Sequence, residues 1–120
     1  MTKGKVALPP FPFDDLSATK VRPAVCLTDP IGLHRHVIVA FVTSRPLTDV
    51  LETDIVLEVN RSDFTATGLR VSSALRLHRL MTISTALIRR TLGELSASVQ
   101  EEVADKLRKL FQLEGDPQRT

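Results

Sequence analysis

The chain has 120 residues, of which 16 are Lys or Arg and 14 are Asp or Glu, and it contains one Cys, no Trp and no Tyr. This length predicts one compact domain and excludes a two-domain enzyme with a separate cofactor domain. A single Cys excludes an internal disulfide framework and favours a reducing cytosol, and the absence of Trp and Tyr disfavours RNA modules that stack bases on several aromatic rings. The longest apolar run, residues 37–42, is far too short for a membrane span, and no signal-peptide segment precedes it.

The basic residues are unevenly distributed along the chain. No acidic residue lies between Phe64 and Gly93, yet five arginines do: Arg70, Arg76, Arg79, Arg89 and Arg90. The planar guanidinium group can hold two phosphate oxygens at once, so this bias favours a phosphodiester partner. Solvated surface arginines that only keep a small protein soluble would give the same pattern, and the charge alone leaves both interpretations open.

Short apolar segments separated by turn signals dominate the first 95 residues. The patterns predict strands over residues 5–8, 22–28, 36–44, 55–59, 71–77, 80–83 and 90–95. Turn residues at 30–32, 45–47 and 67–68 separate several of them. The near-continuous apolar character of 36–44 indicates a strand covered on both faces. Seven short strands at close spacing predict a mainly β fold, built as a small barrel.

The end of the chain has a helical period instead. Apolar residues recur at three- and four-residue spacing, at Val99, Val103, Leu107 and Leu110. This spacing predicts one amphipathic C-terminal helix over residues 97–111. Ser96 or Ser98 can form the N-cap, and residues 98–101 have the form of a capping box. We therefore predict a single domain over residues 1–114 and a frayed tail over 115–120.

Several familiar chemical sites are missing. The five glycines stand singly, so no glycine-rich phosphate loop is present, and there is no Gly-x-Ser-x-Gly motif. The spacing of Cys26, His34, His36 and His78 fits no familiar zinc site. Because Cys26 lies between Val25 and Leu27 in a predicted strand, we interpret it as a small core residue. We therefore expect neither a metal nor a cofactor.

Two stretches carry a more informative pattern. One runs from Gly4 through Pro-Phe-Pro-Phe at 10–13 and a polar loop at 14–20 to Arg22-Pro23, and the other is an apolar strand ending in Thr43-Ser44-Arg45. Later segments are Ser73-Ala74-Leu75-Arg76, Thr82-Ile83 and the Leu-Ile-Arg-Arg run that begins at Leu87. In this order and spacing the sequence resembles the MazF/PemK (Kid) toxins of bacterial toxin–antitoxin pairs, over almost its whole length.

The resemblance implies an SH3-like barrel with a C-terminal helix that works as a homodimer in the cytoplasm, away from membranes. It also implies the toxin of a toxin–antitoxin pair: a metal-independent endoribonuclease, or mRNA interferase, that cuts single-stranded RNA at specific sequences and so inhibits translation and growth. The implied partners are mRNA and a small, acidic antitoxin on a separate chain.

The resemblance assigns catalytic roles to Arg22 and Thr43. RNA cleavage by the ribose 2′-OH needs proton removal, neutralisation of charge on the phosphoryl oxygens and protonation of the leaving oxygen. A guanidinium supplies charge and several donors, and a fixed hydroxyl adds a hydrogen bond as charge develops. Because the substrate carries its own nucleophile, no nucleophilic side chain is needed. Free Arg is a poor base, so a proton-transfer role for Arg22 stays open.

Further candidates surround this pair. Ser44, Arg45 and Arg76 are candidate contacts to the RNA, Arg45 through a phosphate. We expect a mobile loop over residues 14–20, from which Lys20 contacts the RNA backbone. Phe13 or Phe11, just before this loop, is a candidate to stack on a base. Phe11, in its Pro-Phe-Pro run, fits packing against the barrel better.

The sequence departs from the family pattern at His78. Family members usually carry an acid two residues after the late Arg, and here Arg76-Leu77-His78 places an imidazole there. Histidine is a capable general acid or base near neutral pH. A surface histidine without catalytic role is an equally good interpretation. Lys5 and Ala18 stand where the family usually has Asp and Gly, and these departures concern the expected substrate preference and loop flexibility more than the expected fold.

Two other functions are compatible with such a fold. A CcdB-like toxin binds DNA gyrase and cuts nothing, relying on its C-terminal helix rather than on an Arg-Pro and Thr pair. A catalytically impaired relative would bind only RNA or its antitoxin. The presence of Arg22, Thr43 and the arginine-rich stretch favours the ribonuclease.

Overall fold

Six strands and a C-terminal helix build the fold in the computed structural model, which describes residues 2–9, 22–44 and 48–113. In chain order the elements are β1 (Lys5–Ala7), β2 (Ala24–Cys26), β3 (His36–Thr43), β4 (Asp54–Leu57), α1 (Phe64–Thr67), β5 (Ser73–Ser84), a 3₁₀ turn (Thr85–Leu87), β6 (Thr91–Glu94) and α2 (Ala97–Phe111). Within the described ranges the strands form one curled antiparallel sheet in the order β4-β5-β3-β2-β1-β6. The prediction of a mainly β barrel closed by a terminal helix is therefore confirmed.

The sheet carries a hydrophobic core on each face. On the concave face, side chains of β1, β2, β4 and β5 pack against α2, as Val25, Leu75 and Leu77 do against Val99 and Val103. A second cluster on the other face includes Cys26, Val37, Val39 and Phe41. Alternate residues of β3 thus enter different cores, as its unbroken apolar run predicts. The prediction that Cys26 is a small core residue is also confirmed, because it is 1% exposed.

The two strands predicted at 71–77 and 80–83 are one continuous strand, so the described residues form six strands where about seven are predicted. In β5, Leu75 is opposite Val42 and Leu80 is opposite Ala40, so residues 76–79 all face the single residue Phe41. No Gly, Pro or Asn lies between Leu77 and Leu80 to reverse the chain. The surplus residues are therefore absorbed as an irregularity in the strand.

The sequence patterns do not predict the short helix α1, but they do predict the turn at which it ends. The turn predicted at 67–68 is its C-terminus, where Gly68 adopts φ +75°. A Cβ atom at Gly68 would collide with the carbonyl oxygen of Leu92, and one at Gly93 with that of Ala66. These two glycines let α1 approach β6 directly, which also seats Phe64 in the core.

Helix α2 begins where its period predicts, and Ser96 is the residue that caps it. The Ser96 hydroxyl accepts the Val99 N–H at 3.2 Å, in an extended backbone conformation typical of N-caps. The capping box expected at residues 98–101 is wrong, because Ser98 already lies inside the helix. None of the helices in the described segments is long and apolar enough to cross a membrane.

A small charged network ties this cap to the rest of the fold. The Asp63 carboxylate receives Arg61 Nε at 2.8 Å and the Ser96 hydroxyl at 2.8 Å. These hydrogen bonds, that of Arg61 first, lower the pKa of Asp63 from 3.8 to about 2. The charged carboxylate therefore stabilises the folded chain at neutral pH.

We expect this stabilisation to be lost in acid. Because the folded-state pKa of Asp63 is lowered, its contribution is complete above about pH 4 and disappears as the pH falls through about 2. The difference in free energy of unfolding between wild type and Asp63→Asn should therefore shrink between pH 5 and pH 2. Urea denaturation across that range measures it, and a difference that does not change with pH would contradict the assignment.

Candidate active site

Strand register brings Arg22 and Thr43 together. Ala24 of β2 is opposite Phe41 of β3, and the Val42 N–H donates to the Pro23 carbonyl at 3.0 Å. Continuing this register by one residue places Arg22 directly opposite Thr43. Side chains of such cross-strand neighbours lie on the same face of a sheet. Two residues that are 21 positions apart in sequence are thus adjacent at one end of the sheet, and both are partly exposed.

Strand β5 extends this face on the other side of β3. Thr43 is opposite Ala74, while Leu75 and Leu77 point into the core that packs against α2. Residues 74, 76 and 78 therefore lie on the opposite face, the one that carries Thr43. Arg76 and His78 keep 22% and 37% of their side-chain surface exposed. The same end of the sheet thus presents two arginines, a hydroxyl and an imidazole.

A buried acid, Asp54, completes the cluster. It is the first residue of β4 and lies directly opposite Arg76 on β5. Its side chain is 0% exposed, with Oδ1 lying 3.0 Å from Arg76 Nε and 4.0 Å from His78 Nδ1. The other oxygen, Oδ2, accepts the Leu51 N–H at 2.8 Å. Position 78 lacks the expected acid, but a neighbouring strand places a carboxylate beside it.

Sequence reasoning missed Asp54. The predicted strand begins at Ile55 and leaves Asp54 outside it. An acid directly before a buried apolar strand is the only signal the sequence offers, and it does not reveal which residue will lie opposite. Pairing with β5, 22 residues later in the chain, decides that.

Nearly the whole chain matches a known protein family. Residues 3–111 match the family described as the PemK-like, MazF-like toxin of type II toxin–antitoxin systems. The chain belongs to this family. The resemblance stated from the motifs is therefore confirmed, and the protein is a MazF-like toxin of a type II system.

Solved structures with the same fold include toxins of this family. Toxin MazF-mt6 of Mycobacterium tuberculosis superposes with a TM-score of 0.70 at 22% identity, covering 92% of this chain and 98% of that one. An endoribonuclease in complex with its cognate antitoxin, from a mycobacterial species, gives 0.68 at 14% identity, covering 95% and 97%. MazF from Deinococcus radiodurans gives 0.65 at 20%, covering 93% and 96%. A search of curated protein sequences found no match.

Other arginines of the MazF-like toxin lie near this end of the sheet. Arg89 donates its N–H to the Leu8 carbonyl at 3.1 Å, and the Leu8 N–H donates to the Arg90 carbonyl at 2.9 Å. The end of β1 is beside the start of β2, so these exposed arginines flank the strand end that carries Arg22. Their position agrees with a basic surface around the cluster.

Some predicted site residues have no described position. Phe13, Lys20 and Arg45 lie outside the described residues, as do the loop at 14–20 and the turn at 45–47. Ser44 is described and is exposed at the end of β3. The candidate site of the toxin therefore consists, in its described part, of Arg22, Thr43, Ser44, Arg76 and His78, with Asp54 beneath them.

The residues once considered for a metal site are separated. Cys26 is buried in β2, and burial raises the pKa of its thiol. His34 lies in the turn before β3, and His36 is the first residue of β3. Their ring centroids are 6.0 Å apart. His78 belongs to the cluster around Asp54 instead. Across residues 2–9, 22–44 and 48–113, no group of three metal-ligating side chains occurs.

Proposed function

We propose that this MazF-like toxin is an endoribonuclease that cuts single-stranded RNA, mRNA above all, by attack of the ribose 2′-OH on the adjacent phosphorus. The observation that carries the proposal is the convergence of Arg22 and Thr43 at paired strand ends, on the face that also bears Arg76 and His78. A family of toxins and a structural neighbour that is an endoribonuclease with a bound antitoxin support it.

In the proposed reaction each side chain has a separate role. The 2′-oxygen bonds to phosphorus as the bond from phosphorus to the 5′-oxygen breaks, giving a 2′,3′-cyclic phosphate and a 5′-hydroxyl. Arg22 neutralises the phosphoryl oxygens, and the Thr43 hydroxyl donates a hydrogen bond as their charge increases. His78 either takes the proton from the 2′-oxygen or gives a proton to the leaving 5′-oxygen, and solvent water makes the other of these two proton transfers. No metal is needed for these steps, because the RNA supplies the nucleophile.

The remaining contacts in the proposal hold the RNA strand. Arg76, with its terminal nitrogens next to the cluster, binds a neighbouring phosphate, and the exposed Ser44 contacts the backbone. In this proposal Arg45 adds a phosphate contact, Lys20 contacts the RNA backbone and Phe13 stacks on a base. Contacts to phosphates and the backbone hold the strand in place without reading its sequence.

The proposal extends to assembly and control. We expect one domain over residues 1–114 that forms a homodimer, acts in the cytoplasm on mRNA and is silenced by a small acidic antitoxin. The neighbour bound to its cognate antitoxin supports such a partner. The basic surface around Arg22, Arg89 and Arg90 supports an acidic one.

Cleavage in the presence of EDTA is the direct test. The purified full chain should cut single-stranded RNA of mixed sequence in EDTA, and mass spectrometry should find a 2′,3′-cyclic phosphate on one product and a 5′-hydroxyl on the other. The matched control is the same oligonucleotide with 2′-O-methyl riboses, which lacks the nucleophile and should stay intact. Cleavage of that control, or inhibition of DNA gyrase supercoiling without RNA cleavage, would contradict the proposal.

A further inference from the structure

A buried carboxylate beneath the candidate site has one oxygen without an aligned hydrogen bond. Asp54 has no exposed side-chain surface, and its Oδ1 has no aligned hydrogen bond among the described residues. The same holds for Arg76 Nε, although the two atoms are only 3.0 Å apart. A buried charge without good hydrogen bonds is costly, so such a group calls for an explanation.

The second oxygen of Asp54 fixes the direction of the first. Oδ2 accepts the Leu51 N–H at 2.8 Å, and the Asp54 N–H donates back to the Leu51 carbonyl at 3.0 Å. This reciprocal pair holds the carboxylate in place in the turn before β4. Oδ1 consequently faces β5, where two cationic or titratable side chains lie within 4.0 Å of it.

For Arg76 this contact leaves the useful end of the guanidinium available. The carboxylate lies at Nε, the nitrogen nearest the stem, and Nε is buried. Within the described residues Arg76 makes no other ion pair. Because a guanidinium has five N–H donors in a rigid plane, its two terminal nitrogens can still bind phosphate oxygens. The acid therefore pairs with the stem end of the guanidinium without occupying the binding fork.

For His78 the ring nitrogen nearer the carboxylate is Nδ1, at a distance longer than a hydrogen bond. Nδ1 is the atom 4.0 Å from Asp54 Oδ1, so Nε2 lies on the far side of the ring. When Nδ1 carries its proton toward the carboxylate, Nε2 of the neutral ring is the acceptor, and it becomes a donor on protonation. A catalytic histidine needs this orientation if Nε2 is to reach the reacting oxygen.

We infer that Asp54 is a positioning residue for RNA cleavage, which holds the Arg76 guanidinium and the His78 ring from below. The inference rests on the proposed ribonuclease function and adds to it an acid supplied by β4 instead of by the strand that carries His78. Asp54 itself does not touch the RNA, because its side chain is fully buried. Its effect passes through its two neighbours.

The first test compares Asp54→Asn with a matched control. Asn keeps the shape and the acceptor for the Leu51 N–H but removes the charge. We expect kcat to fall about 10- to 100-fold, the range observed when carboxylates that orient functional histidines are removed, with a smaller change in KM. Asp63→Asn removes another acid that pairs with an arginine, directly before α1, and should leave kcat unchanged.

A double-mutant cycle tests the route of the effect. If Asp54 acts through Arg76 and His78, Asp54→Asn should cause little further loss in a chain that already carries Arg76→Gln and His78→Gln. A full, independent loss in that background, or an unchanged kcat in the single variant, would overturn the inference. Because the wild type still cleaves RNA in either case, the proposed function would stand.

A measurement on the wild type covers the case in which Asp54→Asn does not fold. Nitrogen-15 NMR of the histidine rings, with the His78 signals assigned by their loss in His78→Gln, should find the neutral ring protonated at Nδ1. Protonation at Nε2 would overturn the inference. This readout needs no RNA, so it separates a failure of the positioning role from a failure of the ribonuclease proposal.

Discussion

Replacing Arg22 and Thr43 together by alanine is expected to abolish RNA cleavage. Each side chain is proposed to stabilise charge that develops on the phosphoryl oxygens, and removal of one such donor typically slows an enzyme by about 10²–10³-fold. Because both act on the same charge, their effects will not simply add, and we expect a loss of at least about 10³-fold in kcat/KM. Initial rates on a labelled RNA oligonucleotide measure this loss.

The controls for this experiment use the same residue types elsewhere on the toxin. Arg108 lies on α2 beside Asp105, and Thr82 is exposed towards the far end of β5. An Arg108→Ala, Thr82→Ala variant should cleave RNA like the wild type. Thermal unfolding of both double variants separates loss of activity from loss of fold. Wild-type activity in the Arg22→Ala, Thr43→Ala variant would remove these residues from the site.

Replacing His78 by glutamine should give the second large effect. Proton transfer by a positioned side chain contributes about 10²–10⁴-fold to the rate, so we expect kcat to fall by at least about 10²-fold. The pH dependence should also change, because the variant loses a side chain that both accepts and donates protons. The pH–rate profile of the variant should therefore differ from that of the wild type.

His36 offers the matched control for His78. It is the exposed first residue of β3, whereas Thr43 is the last residue of the same strand. His36→Gln should retain both the rate and the profile of the wild type. An unchanged rate and profile in His78→Gln would identify His78 as a surface histidine of β5, and the toxin would then need another proton donor.

Much of the fold could be predicted because its signals are local. The three- and four-residue spacing from Val99 to Leu110 defines α2 without reference to the rest of the chain. The continuous apolar run of β3 indicates burial on both faces, and both cores are present. Strand ends were less predictable: the strand expected at 22–28 is only Ala24–Cys26, because ladder pairing with a neighbour decides where a strand ends.

The failures share one physical cause, namely that the partner of a residue is chosen by long-range pairing. Residues 76–79 contain no turn former, but only the register against β3 reveals that they are accommodated inside one strand. The capping choice of Ser96 over Ser98 depends on Asp63, which lies 33 residues earlier. In each case the local pattern allowed two outcomes, and a contact between distant segments selected one.

The opening composition predicted one compact domain from the length, excluded an internal disulfide framework through the single Cys, and favoured a phosphodiester partner through the acid-free, arginine-rich stretch. Together with the ordered motifs around Arg22 and Thr43 it was enough to indicate the toxin family. Only the tertiary structure placed Arg22 opposite Thr43 and set Asp54 beneath Arg76 and His78. The hydrophobic period of a helix or strand depends on residues that are close in sequence. The register of antiparallel strands depends instead on how the whole sheet packs, and this register decides which charged side chains share a site.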